Sequence, residues 1–222
     1  MIKKRYKHVV IAVDVVIFTI IEEQLHVLLI KMKRKPYLKA WAAPGGLVDV
    51  KDSVEQAAQK HLHLKAGVKD IYLEQLYTFG EASRDPFGRV VTVAYFALIP
   101  SRSVKLKTTK EYGGVKWFPV GKLPQLAYDH RQIIEYAVHR LKLKLERSNV
   151  VYGLLPREFT LAELKETYEI ILGKKIDKRN FYKKVKTLKI IRATGRLRRG
   201  EANRPAMLYT FITRQPKQIS VL

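Results

Sequence analysis

Two arginines flank a short Pro/Gly turn near the middle of the chain, in the run RDPFGR over 84–89. A guanidinium group binds phosphate or carboxylate through two parallel hydrogen bonds, so this loop suits recognition of an anionic ligand. Arg84, Asp85 and Arg89 are therefore predicted to bind a small-molecule effector. An internal ion pair of Arg84 with Asp85, or one made by Arg89, would hold the loop and accounts for the same residues equally well.

A second cluster of chemically useful residues lies on a predicted helix over 178–188. Phe181, Val185 and Leu188 recur at helical spacing and form an apolar stripe, and polar residues lie off it. Arginine pairs with guanine and asparagine with adenine in the major groove, while lysines meet phosphates. The predicted DNA-binding residues are Arg179 and Asn180 for bases, and Lys183, Lys184, Lys186, Arg196, Arg198, Arg199 and Arg204 elsewhere on the helix and the loop after it. A solvated basic surface is the alternative interpretation.

The charge of the chain favours a polyanionic partner. The 222 residues carry 43 Lys and Arg against 20 Asp and Glu, a formal net charge of +23. Within 174–204 there are 13 basic and 2 acidic residues, so the charge is concentrated in one segment. DNA, RNA and an anionic membrane are candidate partners, and a basic surface that only aids solubility is the alternative.

The amino-acid composition excludes several classes of functional site. The chain has no Cys, which excludes disulfides, thiolate metal sites and cysteine nucleophiles and agrees with a reducing, cytoplasmic location. The basic start at 1–8 resembles part of a signal peptide, but Asp14 interrupts the apolar run and no small-residue cleavage site follows. No run reaches the ~20 apolar residues that a membrane span needs.

The elements expected around the arginine loop define an α+β domain over 1–148. Strands are predicted at 8–21, 25–32, 72–78, 90–99 and 114–119, with helices at 52–66 and 130–147. Asp52 is expected to cap the first helix with Glu55 three residues on, and Gly67 to end it. The second helix is expected to bridge to the next domain.

The pattern changes after Asn149, and 149–222 is predicted to be a winged helix-turn-helix domain. Thr160 and Glu163 form a capping-box pattern that opens a helix ending at Gly173. Asp177 caps the basic helix, and strands are predicted at 190–193 and 207–212. Helix, turn, helix and a two-stranded hairpin in this order define the winged form of the motif.

The segment 46–68 resembles the Nudix box, whose pattern is G-x5-E-x7-R-E-U-x-E-E-x-G-U with U aliphatic. The spacing matches at every position from Gly46 to Val68, and Trp41 with Pro44 and Gly45 precedes it as the family expects. The resemblance implies a Nudix-like α/β/α sandwich with a mixed sheet. It also places Trp41 among the predicted effector-binding residues.

The residues that perform chemistry in the family differ here. The resemblance implies that three glutamates hold divalent cations, but those positions are His61, Leu64 and Lys65. Mg²⁺ requires hard oxygen ligands, and a lysine places a positive charge where the ion would lie. His61 and His63 are two residues apart and do not share a helix face, so they are not expected to bind a metal. Asp49, Asp52 and Glu55 are interpreted as turn and cap residues.

No catalytic residue, metal site or cofactor is therefore predicted. A positive cleft still attracts phosphate, so His61 and Lys65 are predicted to contact a pyrophosphate directly, without a metal. A solvated helix face that binds no ligand accounts for His61 and Lys65 equally well.

Taken together, the chain resembles the Nudix-related transcriptional regulators of NrtR type, which have sugar-responsive relatives of AraR type. The resemblance rests on the motifs at 84–91, 129–130, 154–161, 168–173, 177–181 and 204–209. It implies a homodimer on a palindromic double-stranded DNA operator, with ADP-ribose, a related NAD metabolite or a sugar as effector. The resulting hypothesis is an effector-responsive repressor; a Nudix hydrolase such as an ADP-ribose pyrophosphatase is the main alternative, and an RNA-binding accessory factor a third.

Overall fold

The computed structural model describes residues 8–66, 71–100, 112–198 and 205–221. Within them the chain forms nine strands and four α-helices. The strands are β1 (Val10–Ile21), β2 (Gln24–Lys31), β3 (Trp41–Ala42), β4 (Gly45–Leu47), β5 (Tyr72–Phe79), β6 (Val90–Leu98), β7 (Val115–Pro119), β8 (Ile191–Arg198) and β9 (Ala206–Phe211). The helices are α1 (Val54–Ala66), α2 (His130–Arg147), α3 (Leu161–Leu172) and α4 (Lys178–Thr187).

A mixed sheet organises the first 120 residues. Its strand order is β3-β2-β1-β6-β5, with β4 added to β1 and β7 added to β2. The chain turns from β1 to β2 through Glu22 and Glu23, which both have positive φ and allow a tight antiparallel hairpin. In contrast, β1 and β6 run parallel from Val10 to Phe18. The predicted long strands all form, with ends within two residues of those expected.

Strand β1 buries both of its faces. Val13, Val15 and Ile17 point to one side and pack against α1 through residues such as Ala58 and Leu62. Val16 and Phe18 point to the other side, where Ile133, Ile134, Ala137 and Leu141 of α2 cover them. Alternation of side chains along a strand produces this division. The result is the predicted sandwich of helix, mixed sheet and helix.

The capping residue of helix α1 lies one position later than predicted. Ser53, and not Asp52, is the cap: Gln56 N donates to Ser53 Oγ over 3.1 Å, and Ser53 N donates to Gln56 Oε1 over 2.8 Å. This reciprocal pair is a capping box with glutamine in the third position. Asp52 is consequently free to form an ion pair elsewhere, and Gly67 lies outside the described residues.

The second half forms the predicted helix-turn-helix. Thr160 and Glu163 make the expected capping box on α3, and Gly173 ends that helix with φ 70°. Asp177 accepts a hydrogen bond from Asn180 N and starts α4. A two-stranded sheet of β8 and β9 follows. This sheet is the wing of the motif.

The wing differs from the prediction in the length of its first strand. Gly195 has φ +76° and lies in a register shift between Ala193 and Leu197, so β8 bulges and continues to Arg198. The predicted strand ends at Ala193, because Gly195 is typical of a loop. Arg196 and Arg198 therefore lie in strand β8, and not in a loop as expected, whereas their predicted contacts with DNA stay predictions.

The junction between the two halves is tightly packed. After α2 the chain makes a 3-10 turn over Val150–Gly153, and the same buried cluster includes Phe96 of the sheet and Phe181 of α4. A Cβ on Gly153 would lie 2.7 Å from Leu98 Cβ, so only glycine permits this approach. The predicted domain boundary at 148/149 falls one residue after the end of α2. Within the described ranges, none of the helices combines the length and the hydropathy of a membrane span.

Candidate functional site

A cavity of about 260 Å³ opens where the start of α2 meets the sheet. Its wall includes residues of β1, β2, β3, β4 and β6, of the loop after β5, and the first residue of α2. The described lining residues are Ala12, Asp14, Ile30, Met32, Ala42, Ala43, Gly45, Gly46, Leu47, Arg84, Asp85, Phe87, Val90, Tyr112, Tyr128 and His130. Apolar side chains and glycines predominate, and a few charged groups converge on one side. Cavities of this composition are typical ligand sites.

Asp14 is the central charged group of the cavity, and sequence analysis did not identify it. It lies in the middle of β1 and is buried. Gly45 of the neighbouring strand makes room for it, because a Cβ on Gly45 would lie 2.4 Å from Asp14 Oδ1. One glycine of the segment before the box therefore accommodates this carboxylate.

Arg84 is buried and holds two carboxylates together. Its Nε and Nη2 donate to Asp129 Oδ2 and Oδ1 over 2.8 and 2.7 Å, and Nη2 lies 3.4 Å from Asp14 Oδ2. Burial alone would lower the pKa of Arg84, but the two carboxylates outweigh it, so the pKa is raised and the group stays charged. The alternative prediction is an ion pair with Asp85, whereas the observed partners are Asp129 and Asp14. Arg84 lines the cavity with its Nε and Nη2 donors already engaged by protein carboxylates.

His130 completes the network and is neutral in this arrangement. Ala43 N donates to His130 Nδ1 over 2.9 Å, so Nδ1 carries no proton and Nε2 does. His130 Nε2 lies 3.3 Å from Asp14 Oδ1. Burial tends to raise the pKa of Asp14, but the hydrogen bond from His130 and the charge of Arg84 outweigh burial, and the pKa is lowered. Asp14 is therefore ionised at neutral pH.

Of three further predicted effector residues, one lines the cavity and two lie outside its described lining. Asp85 lines the cavity, and its Oδ1 accepts a hydrogen bond from Phe87 N over 2.8 Å. Arg89 is exposed, donates to Gly80 O over 2.6 Å and is not part of the described lining. Trp41 packs edge-on against Phe118, 4.7 Å between ring centroids, and is also outside that lining.

The helix of the box lies behind the cavity. A Cβ on Gly46 would approach His61 Cε1 to 2.9 Å, so this glycine separates His61 from the cavity. Lys60 Nζ lies 2.5 Å from Asp52 Oδ2, which joins two box positions in an ion pair. Leu64 is exposed, and the side chain of Lys65 lies outside the described part of the chain. Within that part, no group of three or more His, Asp or Glu is arranged to hold a metal ion.

Helix α4 presents a basic face. Phe181 and Val185 are buried against the body, whereas all five predicted DNA-contacting residues of this helix are exposed. These residues are Arg179, Asn180, Lys183, Lys184 and Lys186. Among the described residues, no carboxylate forms an ion pair with any of these cations. The face therefore offers four positive charges to an external anion.

The wing arginines have internal partners instead. Arg196 pairs with Glu158, and Arg198 pairs with Glu163 while lying 3.3 Å from Glu158 O. Neither glutamate partner was predicted from the sequence. Arg199 and Arg204 lie outside the described residues, so their predicted contacts with DNA stay predictions.

Comparison with known proteins agrees with this geometry. The family model described as "NUDIX domain" matches residues 10–137, and the one described as "NrtR DNA-binding winged helix domain" matches residues 151–211. The chain is 34% identical, over 94% of its length and 84% of the relative, to the ADPR responsive transcriptional repressor of Acinetobacter baylyi. It is also 31% identical to an ADP-ribose pyrophosphatase of Methanocaldococcus jannaschii, over 59% of this chain and 73% of that one.

The solved structures of NrtR from Shewanella oneidensis are similar to both halves. The complex with a 27mer DNA superposes with a TM-score of 0.81 at 38% identity, covering 90% of this chain and 93% of that one. Its NUDIX domain in complex with ADP ribose superposes with a TM-score of 0.55 at 39% identity, over 61% and 90% of the two chains. A Nudix fold joined to a winged helix defines a class of ligand-responsive DNA-binding proteins. The chain belongs to the NrtR family of Nudix-related transcriptional regulators.

Proposed function

We propose that the protein is a transcriptional repressor that binds double-stranded DNA through α4 and responds to ADP-ribose, or a related NAD metabolite, bound in its Nudix domain. The observation that carries this proposal is the basic face of α4, whose four cations have no acidic partner among the described residues. An exposed cationic helix in a winged motif suits the major groove. The ADPR responsive repressor and the ADP-ribose complex among the relatives support the effector.

The Nudix domain is proposed to bind its ligand without hydrolysing it. Hydrolysis in this fold requires carboxylates that hold a divalent cation and activate water. Here Leu64 offers no ligand atom, and Asp52 is neutralised by Lys60. Without an ion to polarise a phosphoryl group, a bound pyrophosphate stays intact. No cofactor is required for such a response.

Helix α2 offers a direct mechanical connection between the two sites. The helix starts directly after Asp129, with His130 at the cavity. It is about 27 Å long at 1.5 Å per residue. A change at Asp129 or His130 would move its first turn, and a packed helix transmits such a change as a rigid body. Ligand binding then shifts the population of two arrangements of the DNA-binding halves.

The far end of α2 is tied to α4 by the C-terminal segment. Asn149 is buried, and its side chain accepts from Lys217 N over 2.7 Å and donates to Gln215 O over 3.1 Å. Ile219 N donates to Arg147 O over 2.9 Å, and the buried Val221 lies beside Asn180 and Lys183 of α4. We expect the segment to keep α4 at a fixed angle to α2.

The proposed assembly is a homodimer on a palindromic operator, because two recognition helices read two half-sites one helical turn apart. Sedimentation of the free protein and of its DNA complex measures this directly. Two chains per duplex are expected, and a single chain on each duplex contradicts the dimer.

Binding of DNA from upstream of the protein's own gene tests the function. Fluorescence anisotropy with and without ADP-ribose should give tight binding, a dissociation constant that ADP-ribose shifts, and an affinity that falls steeply with salt. Nicotinamide nucleotides and pentoses serve as comparison ligands. An affinity that no ligand changes contradicts the proposed response, and a preference for RNA over the duplex contradicts the DNA target.

A hydrolase remains the second candidate because the chain is similar to an ADP-ribose pyrophosphatase and retains Glu55 in the box helix. Glu55 accepts a hydrogen bond from Tyr95 over 3.3 Å. Incubation with ADP-ribose or NADH and Mg²⁺ should give no products. Turnover that the Glu55→Gln or Asp52→Asn substitution abolishes would establish the enzyme instead.

A further inference from the structure

The C-terminal segment, residues 214–221, runs from the wing past the end of α2 to α4. It is fastened at its start by Arg214, whose Nη2 donates to Leu155 O over 3.0 Å and to Pro156 O over 2.8 Å. The side chain of the buried Asn149 holds its middle through two hydrogen bonds to backbone atoms. The path of the segment across the junction between the two halves is therefore well defined.

The C-terminal segment completes the last turn of α2. The final carbonyl groups of a helix have no partner within it, and α2 is followed by Ser148 in an extended conformation, not by the glycine that commonly closes a helix. Ile219 N donates to Arg147 O over 2.9 Å, and Val221 N donates to Glu146 O over 3.1 Å. A movement of α2 must therefore either carry residues 219 and 221 with it or break both bonds.

The side chain of Val221 packs against the helix that is proposed to bind DNA. Val221 is buried and lies with Phe181 along an apolar crevice on α4. Asn180, Lys183 and Lys184 border the same crevice, and all three are predicted to contact DNA. Because protein interiors are close-packed, a displacement of Val221 displaces the side chains that touch it.

A second path from α2 to α4 passes through α3. Helix α2 contacts α3, and on α3 the ring of Tyr168 packs on Phe181 of α4 with 5.3 Å between centroids. This path needs an intermediate helix. The C-terminal segment instead contacts α2 and α4 within three residues, 219–221, through its backbone on one helix and a side chain on the other.

We infer that Ile219 and Val221 are positioning residues for DNA recognition, and that the C-terminal segment transmits movement of α2 to α4. The inference rests on the proposed function and adds the route by which the effector acts on DNA binding. Neither residue touches DNA or the effector; both act through the orientation of α4. Each of the two arrangements of α2 thus sets its own orientation of α4.

Truncation of the buried valine tests the inference. Val221→Ala removes side-chain contact with α4 and retains the backbone bond to α2. Fluorescence anisotropy measures binding to the operator and to a scrambled duplex, with and without ADP-ribose. The ratio of the two operator dissociation constants should lie in the typical allosteric range of about 5–150 for the wild type and close to one for Val221→Ala, which should also prefer the operator less. Calorimetry without DNA should show unchanged ADP-ribose affinity, because the cavity lies at the other end of α2.

The controls separate positioning of α4 from general stability. Val221→Ile keeps an apolar side chain at the crevice and should retain the wild-type ratio. Ile219→Ala should lower the ratio, whereas Ile212→Ala, the same change at an exposed position just after β9, should not. Thermal melts verify that each variant is folded at the assay temperature. If Val221→Ala is not folded there, the half-buried Ile219 carries the test with the same outcomes.

The outcome that overturns the inference is a variant that is less stable but otherwise normal. If Val221→Ala melts earlier yet keeps the wild-type ratio, Val221 only stabilises the fold and the signal takes another path. An equal fall of the ratio in Ile212→Ala would also overturn the inference, because the effect would not depend on contact with α2 or α4.

The scrambled duplex separates failure of this inference from failure of the proposed function. If ADP-ribose does not change operator binding by the wild type, but Val221→Ala loses preference for the operator, the effector assignment is wrong and the segment still positions α4. If ADP-ribose shifts operator binding equally in the wild type and in Val221→Ala, the proposed function stands and the inference is wrong.

Discussion

Arg84 and Arg179 carry the same guanidinium group in opposite surroundings. The Arg84 side chain is 4% exposed and donates to Asp129 and Asp14, so its charge is used inside the protein. Arg179 is exposed on α4, and no carboxylate among the described residues forms an ion pair with it. Arg196 is an intermediate case, exposed but paired with Glu158. Burial and internal partners, more than residue type, therefore decide which cations remain available to an external anion.

The largest expected effect is the loss of the buried cation. Arg84→Ala leaves the buried Asp14 and the half-buried Asp129 without their shared cation, which should lower the free energy of unfolding by about 3–5 kcal/mol. Urea denaturation measures the change. Arg89→Ala, in the same loop but exposed, should cost about 0.5 kcal/mol or less. Equal costs at the two positions would contradict the contrast between buried and exposed arginines.

The exposed cation should show the reverse behaviour. Arg179→Ala is expected to leave the free energy of unfolding within about 0.5 kcal/mol of the wild type, and to weaken operator binding by about 1–3 kcal/mol with relaxed preference at one base pair. Lys186→Ala should weaken binding to all sequences alike and reduce the salt slope by about one. Fluorescence anisotropy with operators that carry single base-pair changes distinguishes base recognition by Arg179 from a phosphate contact by Lys186. A uniform loss for Arg179→Ala would exclude it from base recognition.

Tyr168 contrasts with Arg84, because its polar group is buried without a hydrogen-bond partner in the described chain. Tyr168 Oη, in the core of the winged helix, is buried and has no hydrogen-bond partner within the described chain, and burial raises the pKa of Tyr168. An unsatisfied hydroxyl costs free energy on folding, so Tyr168→Phe should raise the free energy of unfolding by about 1 kcal/mol. Chemical denaturation tests this, and a loss of stability would reveal a hydrogen bond that the structure does not contain.

The smallest effect is expected in acid. Burial tends to raise the pKa of Asp14, but the hydrogen bond from His130 and the charge of Arg84 outweigh burial and hold the pKa below its ordinary value of 3.8. The ionised form therefore contributes stability above pH 3.8 that is lost as the pH falls through the folded pKa. Asp14→Asn should show a shallower loss of stability between about pH 5 and 2. An unchanged acid limb would indicate that the folded and unfolded pKa values are equal.

The fold could be predicted because its patterns are local. Period-two and period-3.6 spacing of apolar residues identified the long strands and α2, and the Thr160 and Asp177 caps located the starts of α3 and α4. The bulge at Gly195 was missed, since glycine in a strand and glycine in a loop have the same sequence signature. Strand β8 and the positions of Arg196 and Arg198 depend on it.

The cavity was less predictable because its partners are distant in sequence. Arg84 meets Asp129 across 45 residues and Asp14 across 70, and no local pattern encodes those contacts. One indication was present: Asp14 is a lone carboxylate within an apolar run, and such a residue needs a buried partner. The basic face of α4 was predicted in full, because an amphipathic helix determines which residues are exposed.

The most direct test follows DNA binding and the effector in one sample. Protein, labelled operator, ADP-ribose and Mg²⁺ are mixed, anisotropy reports the DNA complex, and chromatography reports the remaining ADP-ribose. We expect ADP-ribose to shift the operator dissociation constant while all of the ADP-ribose remains intact. Consumption of ADP-ribose that follows the protein concentration and disappears in Glu55→Gln would contradict it.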